Sequence, residues 1–440
     1  MKASKYNICI PYKDSYVIFN GVTKRFFLVS SHNKDSFLQI ISSPDDYQEN
    51  YTPFVRRMAE EGFIVNDDSD ELDTVRKQYE QMKNSSFYHL MILPTYQCNV
   101  RCWYCTQHHR NVMLSENDVA KIKKHIEWYL SHHDLEGFNL SWFGGEPMLN
   151  FECVQDITFF AKEICKKHGL SFHASITTNG TLLSRDYLEK MRDLDFTFFQ
   201  ITIDGTKEYH DCVKKLKDKS AYITTLNNVC LINEILPNAE ICLRYNYTNE
   251  NLKPNAIIED LNQHIPEDLR NKIQLSIMKV WQQDEQGVDN QLIEDLVKKS
   301  RESGYRVTVG AGFSICYVDK FQFNCVFPNG KIDKCDNEEM DSSKGMISQD
   351  GSIKWEETPA FLHYDIFSDS ESACRTCRYL PVCYGPCPKE RNDMFAQGQH
   401  ISCRFADPDL HWRQEIVHYI DNVIFLNSEK YGKENQKKII

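Results

Sequence analysis

The sequence predicts an α/β fold in which a partial β/α barrel follows a small α+β unit and precedes a cysteine-rich region. Three observations support this prediction. Strand-like and helix-like segments alternate from residue 87 to about 310, which is typical of a parallel sheet with crossover helices. Residues 1–86 combine short strands and helices in a different order. From 311 to 405 the strand-like segments become short and cysteines become dense.

The barrel region contains six predicted strands: Tyr88–Leu93, Asn139–Phe143, His173–Thr177, Phe198–Ile203, Glu240–Tyr245 and Ile273–Lys279. Helical stretches lie between them, for example Glu116–Leu130 and Tyr187–Arg192. Six repeats are fewer than the eight of a closed barrel, so we expect a partial (β/α)6 barrel spanning residues 87–310. Because catalytic residues in such barrels lie at the C-terminal ends of strands, we expect the chemistry just after the predicted strands.

The first 86 residues are predicted to form a separate α+β unit. Its predicted elements are the strands YNICIPY and SYVIFNG across a Lys13-Asp14 turn, a helix at Tyr51–Glu61, a strand at Gly62–Asp67, and a helix capped by Asp70 that runs to about Lys83. This order resembles a winged helix-turn-helix. At the other end, residues 406–440 are predicted to be a closing helix, Leu410–Leu426, and a polar, Lys-rich tail.

Composition argues against several classes of partner. The net charge of −12 over 440 residues disfavours binding to nucleic acid or to an anionic membrane. No apolar run approaches the roughly 18 residues that span a bilayer, and the N-terminus lacks the apolar core of a signal peptide. We therefore expect a cytoplasmic protein.

Cysteine usage is the most informative feature of the composition. An odd count of 17, in a chain without a secretion signal, argues against a complete set of disulfides. Six cysteines are scattered singly, and we interpret them as small buried hydrophobic residues: 9, 153, 165, 212, 230 and 242. The other 11 fall within 98–105 and 316–403, where clusters of this kind indicate metal or iron–sulfur ligands.

The first group is Cys98-Asn-Val-Arg-Cys102-Trp-Tyr-Cys105, directly after a predicted strand. Three thiolates on one loop can hold three irons of a [4Fe–4S] cube, which leaves the fourth iron open to another ligand. A zinc knuckle is the alternative, with His108 or His109 as the fourth ligand.

Three later segments accompany this loop: Phe143-Gly-Gly-Glu146-Pro147, Thr177-Thr-Asn179-Gly180 and Thr202-Ile-Asp204-Gly205. Together with the C-x3-C-x2-C spacing, they resemble the radical S-adenosylmethionine (SAM) superfamily. The resemblance implies that Gly144 and Gly145 let the backbone approach the methionine moiety of SAM and that Glu146 accepts from its ammonium group. It also assigns Tyr104, Asn179 and Thr202 to cofactor binding.

Lys214 marks a departure from the family pattern. Relatives carry an arginine that pairs with the SAM carboxylate in a His-Asp-x-x-Arg segment, and this chain has His210-Asp-Cys-Val-Lys214. Lysine supplies the charge but not a bidentate fork. Lys214 is therefore either a SAM ligand or a solvated lysine in the run KKLKDK.

The second cysteine group resembles the SPASM domain, which binds two auxiliary [4Fe–4S] clusters. By this resemblance, one ligand set is distal to the SAM site: Cys374, Cys377, Cys383 and Cys403. The other set is nearer: Cys316, Cys325, Cys335 and Cys387. A zinc ribbon on CRTC and CYGPC is the alternative. Asp336 follows Cys335 and, by likeness to anaerobic sulfatase-maturating enzymes, is a candidate catalytic base; an ordinary turn aspartate is the alternative.

These resemblances imply a radical SAM oxidoreductase that modifies a peptide or protein. Such an enzyme uses three [4Fe–4S] clusters, cleaves SAM reductively to a 5′-deoxyadenosyl radical and abstracts hydrogen from its substrate, with flavodoxin or ferredoxin as electron donor. A winged helix ahead of the barrel resembles the leader-binding element of ribosomal-peptide (RiPP) maturases. The expected substrate is thus a precursor peptide with a leader, and the expected product a thioether or carbon–carbon crosslink. The alternatives are a sulfatase-type maturase that makes formylglycine and a non-catalytic iron–sulfur electron carrier.

Overall fold

A computed structural model of the chain describes residues 1–107, 109–282, 290–310, 312–337, 340–356 and 363–431. Its strands are β1 Lys2–Ala3, β2 Asn7–Tyr12, β3 Ser15–Asn20, β4 Phe26–Ser30, β5 Ile64–Val65, β6 Phe87–Ile92, β7 Gly137–Trp142, β8 Ser171–Thr178, β9 Phe196–Ile203, β10 Glu240–Tyr247, β11 Ile273–Lys279, β12 Arg306–Val309, β13 Phe323–Val326, β14 Lys331–Asp333, β15 Gly345–Ile347 and β16 Ile353–Trp355. Its helices are α1 Lys34–Ser42, α2 Gln48–Glu60, α3 Glu71–Lys83, α4 Glu116–His132, α5 Phe151–His168, α6 Arg185–Asp193, α7 Lys207–Lys214, α8 Ala221–Ile235, α9 Pro254–His264, α10 Glu267–Arg270, α11 Asn290–Glu302, α12 Leu380–Cys383, α13 Pro388–Ala396 and α14 Pro408–Tyr431.

The chain forms two compact units, each built from separate stretches of sequence. Unit 1 comprises residues 1–84, 311–321 and 359–440, and unit 2 comprises 85–310 and 322–358. The division differs from the expected boundaries, because 322–358 falls in the predicted cysteine-rich region and yet belongs to unit 2. The reason is the buried strand β13, which pairs in parallel with β6 and carries Cys325 opposite Met91.

Unit 2 is organised by one sheet, whose described strands run in the order β12-β11-β10-β9-β8-β7-β6-β13-β14-β15-β16. Neighbours from β6 to β12 pair in parallel, and helices cross between them. The predicted α/β barrel region is therefore confirmed, including β11 at its predicted bounds. The short parallel strand β12 was not predicted, since four residues give too little periodicity to identify a strand.

The two faces of this sheet have different chemistry. On β6, Tyr88, Leu90 and Ile92 are buried in the core that also takes Ile122 and Ile126 of α4. The intervening positions of neighbouring strands are polar: His89 Nε2 lies 2.7 Å from Ser141 Oγ, which in turn lies 2.8 Å from Ser175 Oγ. One face thus packs under helices while the other presents hydrogen-bonding groups.

In unit 1, the predicted strands β2 and β3 and the helix α3 are confirmed, and Asp70 accepts a hydrogen bond of 3.0 Å from Asp73 N as the helix cap. The strand β4 and the helix α1 were not predicted. Strands β2, β3 and β4 form an antiparallel sheet. Residues of β2 and β3 share one apolar cluster with Trp412, Ile416 and Ile420 of α14. The N-terminal segment therefore shares one apolar cluster with α14, and it also has a cluster of its own, which includes Ile18, Phe37, Met58 and Phe63.

The six single cysteines differ in burial. Cys153, Cys165 and Cys242 are buried, as expected, whereas Cys9 and Cys230 are half-buried. For Cys212 the prediction of burial is wrong, because it lies exposed on α7. None of the described helices is both long and apolar enough to cross a membrane.

Candidate cluster and cofactor site

The three-cysteine loop follows β6 at the C-terminal edge of the parallel sheet of unit 2. Cys98 and Cys102 are half-buried and Cys105 is exposed, and all three are free thiols. The loop is anchored by Arg101 N, which donates to Lys214 O (3.2 Å), and by Tyr96 N, which donates to Val112 O (3.1 Å). Burial raises the pKa of Cys98 to about 11, so a bound cation is needed to hold it as a thiolate at neutral pH.

Asn179, in the loop after β8, holds the first cysteine from the neighbouring strand. Its Nδ2 donates to Asn99 Oδ1 (2.9 Å) and lies 3.9 Å from Cys98 Sγ. Asn99 Nδ2 donates to Thr181 Oγ1 (2.9 Å), and Thr181 N donates back to Asn179 Oδ1 (2.9 Å). These hydrogen bonds among Asn99, Asn179 and Thr181 join the cysteine loop to the end of β8.

The two glycines after β7 are needed because this segment runs against the backbone that leads into the cysteine loop. A Cβ on Gly144 would lie 2.7 Å from Thr95 O, and one on Gly145 would lie 2.1 Å from Gln97 O. Gly145 N donates to Thr95 O (3.0 Å) and Glu146 N to Gln97 O (2.7 Å). Packing against 95–97 accounts for both glycines; the approach of their backbone to SAM stays a prediction.

Glu146 is fully buried and already accepts hydrogen bonds from the protein. Its carboxylate accepts from Met148 N (3.1 Å), Asn179 N (2.9 Å) and the Thr178 hydroxyl (2.8 Å). Burial raises the pKa of Glu146, and the donors from Asn179, Thr178 and Met148 oppose that rise. The carboxylate therefore joins the loops after β7 and β8, and its predicted contact with the SAM ammonium remains untested.

Lys214 lies at the end of α7 and is 2% exposed, so the interpretation of a solvated lysine is wrong. Its Nζ donates to Thr202 Oγ1 (2.8 Å) and to the Tyr104 hydroxyl (3.3 Å), and it forms an ion pair with Asp204 Oδ2 (3.3 Å). Asn246 Nδ2 also donates to the Tyr104 hydroxyl (3.2 Å), which itself donates to Asp204. The charged run KKLKDK indicated exposure because its other charged residues are exposed, and Lys214 is the one member of the run that is buried.

The opposite charges of Asp204 and Lys214 keep both groups ionised although both are buried. Burial alone would raise the pKa of Asp204, but Lys214, followed by His210, holds it below its usual range. Burial would lower the pKa of Lys214, but Asp204 holds it well above its usual range. The Lys214 charge also lowers the pKa of Cys105 against the rise caused by burial. A fixed cation thus lies beside the cysteine loop, as a site for thiolates or an anionic group requires.

Three contributors to this network were not singled out as site residues: Asp204, His210 and Asn246. Asp204 and His210 are completely buried, and His210 Nδ1 accepts from Asp204 N (3.1 Å). Asp204 did carry a signal, because an aspartate directly after an apolar strand needs a partner if it is buried. Asn246 gave no such signal.

His109 contacts the third cysteine from outside the loop. Its Nε2 lies 3.3 Å from Cys105 Sγ, and Arg101 Nη1 lies 3.0 Å from His109 Nδ1. Because arginine only donates, Nδ1 must accept and Nε2 carries the proton toward the sulfur. The other histidine of the zinc alternative, His108, lies outside the described residues.

The donor set fits an iron–sulfur cube. Among the described residues, no three His, Cys, Asp or Glu side chains are arranged to hold a single metal ion. In a cube each thiolate binds a different iron, so the sulfurs need not converge on one point. Three thiols on one loop, with Lys214 and Arg101 beside them, meet that requirement.

The predicted distal ligands lie close together within unit 1. Burial raises the pKa of Cys383 to about 12, with Cys374, Cys377 and Cys403 adding to the rise. Cys374 is affected in the same way by Cys377 and Cys403. Four thiols from two separate segments therefore share one neighbourhood, and their role as ligands stays a prediction.

The second predicted set is divided between the units. Cys316 and Cys387 belong to unit 1, and Cys325 and Cys335 to unit 2. Cys325 is completely buried on β13, and burial, followed by Asp336 and Cys335, raises its pKa well above the usual range. Asp336 lies half-buried in a turn, and its backbone oxygen accepts from Gln107 Nε2 (3.4 Å). Its role as a base stays a prediction.

Comparison with known proteins agrees with this geometry. Residues 92–253 match the family model of the radical SAM superfamily. An uncharacterized protein of Methanocaldococcus jannaschii is 29% identical over 145 residues, which cover 33% of this chain and 48% of that protein. The serine-type anaerobic sulfatase-maturating enzyme of Bacteroides thetaiotaomicron is 27% identical over 145 residues, 31% of this chain and 34% of that protein. The chain thus spans about a third to a half of the length of these relatives.

A solved structure shares the fold over a longer stretch. Native anSMEcpe with bound AdoMet and Kp18Cys peptide superposes with a TM-score of 0.56 at 16% identity, covering 78% of this chain and 99% of that one. The matched family segment contains the cysteine loop, the Gly-Gly-Glu-Pro turn, Asn179, Asp204, Lys214 and Asn246. Residues 92–253 of this chain are a radical SAM domain.

Proposed function

We propose that this chain is a radical SAM enzyme that modifies a ribosomally made precursor peptide and forms a thioether or carbon–carbon crosslink. The observation that carries the proposal is the cysteine loop at the C-terminal edge of the sheet, with Asn179 on one side and the buried Lys214–Asp204 pair on the other. A bound [4Fe–4S] cluster and SAM would supply reductive cleavage of SAM and hydrogen abstraction.

The residues of the domain have separable tasks in that reaction. Cys98, Cys102 and Cys105 would hold three irons, and Lys214 would place a positive charge beside the cluster and the SAM carboxylate. Glu146 fixes the loops after β7 and β8 and would orient the SAM ammonium group. The polar face of the sheet, with His89, Ser141 and Ser175, supplies groups able to bind a polar substrate.

A peptide substrate is supported by the named relatives rather than by the radical SAM domain itself. The superposed anSMEcpe was solved with a peptide, and the Bacteroides relative is named a sulfatase-maturating enzyme. The same names support a second candidate function, oxidation of a sulfatase serine or cysteine to formylglycine. The four clustered thiols of unit 1 support at least one auxiliary cluster, which would accept an electron or hold the substrate.

Replacing Cys98, Cys102 and Cys105 together with Ala tests the proposal. After anaerobic reconstitution we expect the wild-type chain to hold about 12 irons, four for each cube, and the triple variant to hold about 8. Formation of 5′-deoxyadenosine under dithionite should be abolished. Cys212→Ala, which removes an exposed single thiol, is the matched control and should leave both quantities unchanged.

SAM cleavage by the triple variant would refute the assignment of the cluster. The substrate is tested separately, with a precursor peptide supplied with and without its leader and with a sulfatase-derived serine or cysteine peptide. A mass loss of two hydrogens in the leader-bearing peptide supports the crosslinking enzyme. Formylglycine in the sulfatase peptide supports the second candidate instead.

A further inference from the structure

A buried ion pair in unit 1 joins two segments that each begin at a predicted ligand cysteine. Asp319 ends the 3-10 helix Tyr317–Asp319, whose N-cap is Cys316. Arg391 lies in α13, whose N-cap is Cys387. Arg391 Nη2 donates to Asp319 Oδ1, and the two residues are 0% and 4% exposed.

Each member of the pair is also fixed to its own cysteine through the backbone. Asp319 N donates to Cys316 O (3.0 Å), and Arg391 N donates to Cys387 O (3.0 Å). The charged residues lie 72 positions apart in sequence. The ion pair therefore links the backbone of Cys316 to that of Cys387.

The guanidinium of Arg391 has further donors that the described protein groups do not use. Its Nε and Nη1 are buried and have no hydrogen-bond partner among the described residues. A buried donor without an acceptor costs about 1–3 kcal/mol, and more when it is charged, so an acceptor is expected nearby. The buried Tyr79 hydroxyl is a candidate acceptor beside the guanidinium, because Arg391 opposes the rise that burial causes in the pKa of Tyr79.

A second buried ion pair in the same unit offers a comparison. Lys83 Nζ lies 3.3 Å from Asp365 Oδ2, and both side chains are less than 10% exposed. Lys83 ends α3, and no predicted ligand cysteine begins that helix. This pair has a similar burial and charge and lies near the first pair, since Lys83 and Asp365 both influence the pKa of Asp319. Its backbone contact in this region runs from Phe321 N to Lys83 O (3.0 Å) and involves neither Cys316 nor Cys387.

We infer that Arg391 is a positioning residue for the auxiliary cluster ligands of unit 1. Through Asp319 it holds the backbones of Cys316 and Cys387 together. The inference rests on the auxiliary clusters of the proposed function.

The test compares iron content, acid-labile sulfide and auxiliary-cluster EPR potentials of full-length variants. We expect Arg391→Met to lose about four of about 12 irons. Because removing one member of a buried pair can unfold a protein, the double variant Asp319→Asn with Arg391→Met is made as well. We expect that variant to keep its apo melting temperature within a few degrees and still to lose iron. Arg391→Lys, which keeps a positive charge beside Asp319, should recover most of the iron.

The matched control is the double variant Lys83→Met with Asp365→Asn, which should retain all of its iron and unchanged potentials. A full iron complement and unchanged potentials in both Arg391→Met and the double variant would overturn the inference, and so would equal iron loss in the control. If the reconstituted wild-type chain holds only about four irons, it has no auxiliary clusters, and that part of the proposed function is wrong. This measurement needs no variant, so it is distinguishable from a failure of the Arg391 inference.

Discussion

The cysteine loop of unit 2 and the cysteine-rich segment of unit 1 differ in what holds them in place. The loop after β6 is fastened to the ends of β7 and β8, above a large apolar core. Within the described residues 363–405 the regular structure is limited to one 3-10 turn and two helices, of 4 and 9 residues. Much of its order comes from carboxylates that accept backbone N–H groups, such as Asp369 from Ile401 N (2.7 Å).

We infer from this difference that the folding of the two cysteine regions depends on bound metal to different extents. The loop is positioned by a sheet and an apolar core that do not include its three cysteines. The segment 363–405 has little regular structure and contributes only to smaller apolar clusters, through residues such as Ile366, Leu380 and Ile401. Bound metal would therefore contribute directly to its folding free energy.

The largest expected effect is therefore that of iron removal. In the chain from which iron has been chelated, we expect amide hydrogen exchange in residues 363–405 to rise by about 100-fold or more. Strands β6 to β11 should change little, because their protection comes from the sheet. Hydrogen-exchange mass spectrometry of holo and apo chains measures both regions at once, and an equal rise in the two would remove the distinction.

Next in size is the loss of the buried lysine. Lys214→Met leaves Asp204 as an unpaired buried charge and should lower the free energy of unfolding of unit 2 by about 3–5 kcal/mol. Combining it with Asp204→Asn should restore most of that loss. Lys217→Met, at an exposed position of the same run, is the control and should change stability by less than about 0.5 kcal/mol.

The Lys214–Asp204 ion pair also predicts that the free energy of unfolding depends on pH. The pKa of Asp204 is lowered in the folded chain, so its contribution is present above its unfolded value near 4 and is lost as the pH falls. The pKa of Lys214 is raised, so its contribution is present below about 10 and is lost as the pH rises further. Urea titrations should show the penalty of Lys214→Met undiminished from about pH 5 to 9 and shrinking at more acidic pH. A constant penalty down to pH 2 would contradict the ion pair.

A smaller effect is expected for Gly145→Ala. Its Cβ would meet Gln97 O at 2.1 Å, so the backbone before the cysteine loop must shift, at a cost of about 1–3 kcal/mol. Reconstituted iron should also fall, since the shift reaches Cys98. Gly169→Ala is the control: its φ is +69° but no atom lies within 4 Å, so we expect a cost of about 1 kcal/mol and full iron.

The smallest effects test whether the two units unfold separately. Asp70→Ala removes the cap of α3 in unit 1, and Ser115→Ala removes the capping box of α4 in unit 2. Each should cost about 1 kcal/mol. With separate cooperative units, each variant shifts only its own transition in a denaturant titration followed by hydrogen exchange. A shift of both transitions by either variant would show one cooperative unit.

The sequence by itself determined the class of the fold and the chemistry of the first site. Strand and helix periods are local properties, so β6 to β11 could be predicted from residue patterns, and the C-x3-C-x2-C spacing lies on one loop. Asp70 could be recognised as a cap because a cap involves only its own helix.

Only the tertiary structure decided which distant residues meet. Lys214 in a lysine-rich run has no local sign of burial, and its partners Tyr104, Thr202 and Asp204 come from other elements. The packing of β2 and β3 against α14 joins the first and last parts of the chain. Asp319 and Arg391 meet across 72 residues. Such pairs depend on how elements pack rather than on any local period, because a buried charge is tolerated only where the fold supplies its partner.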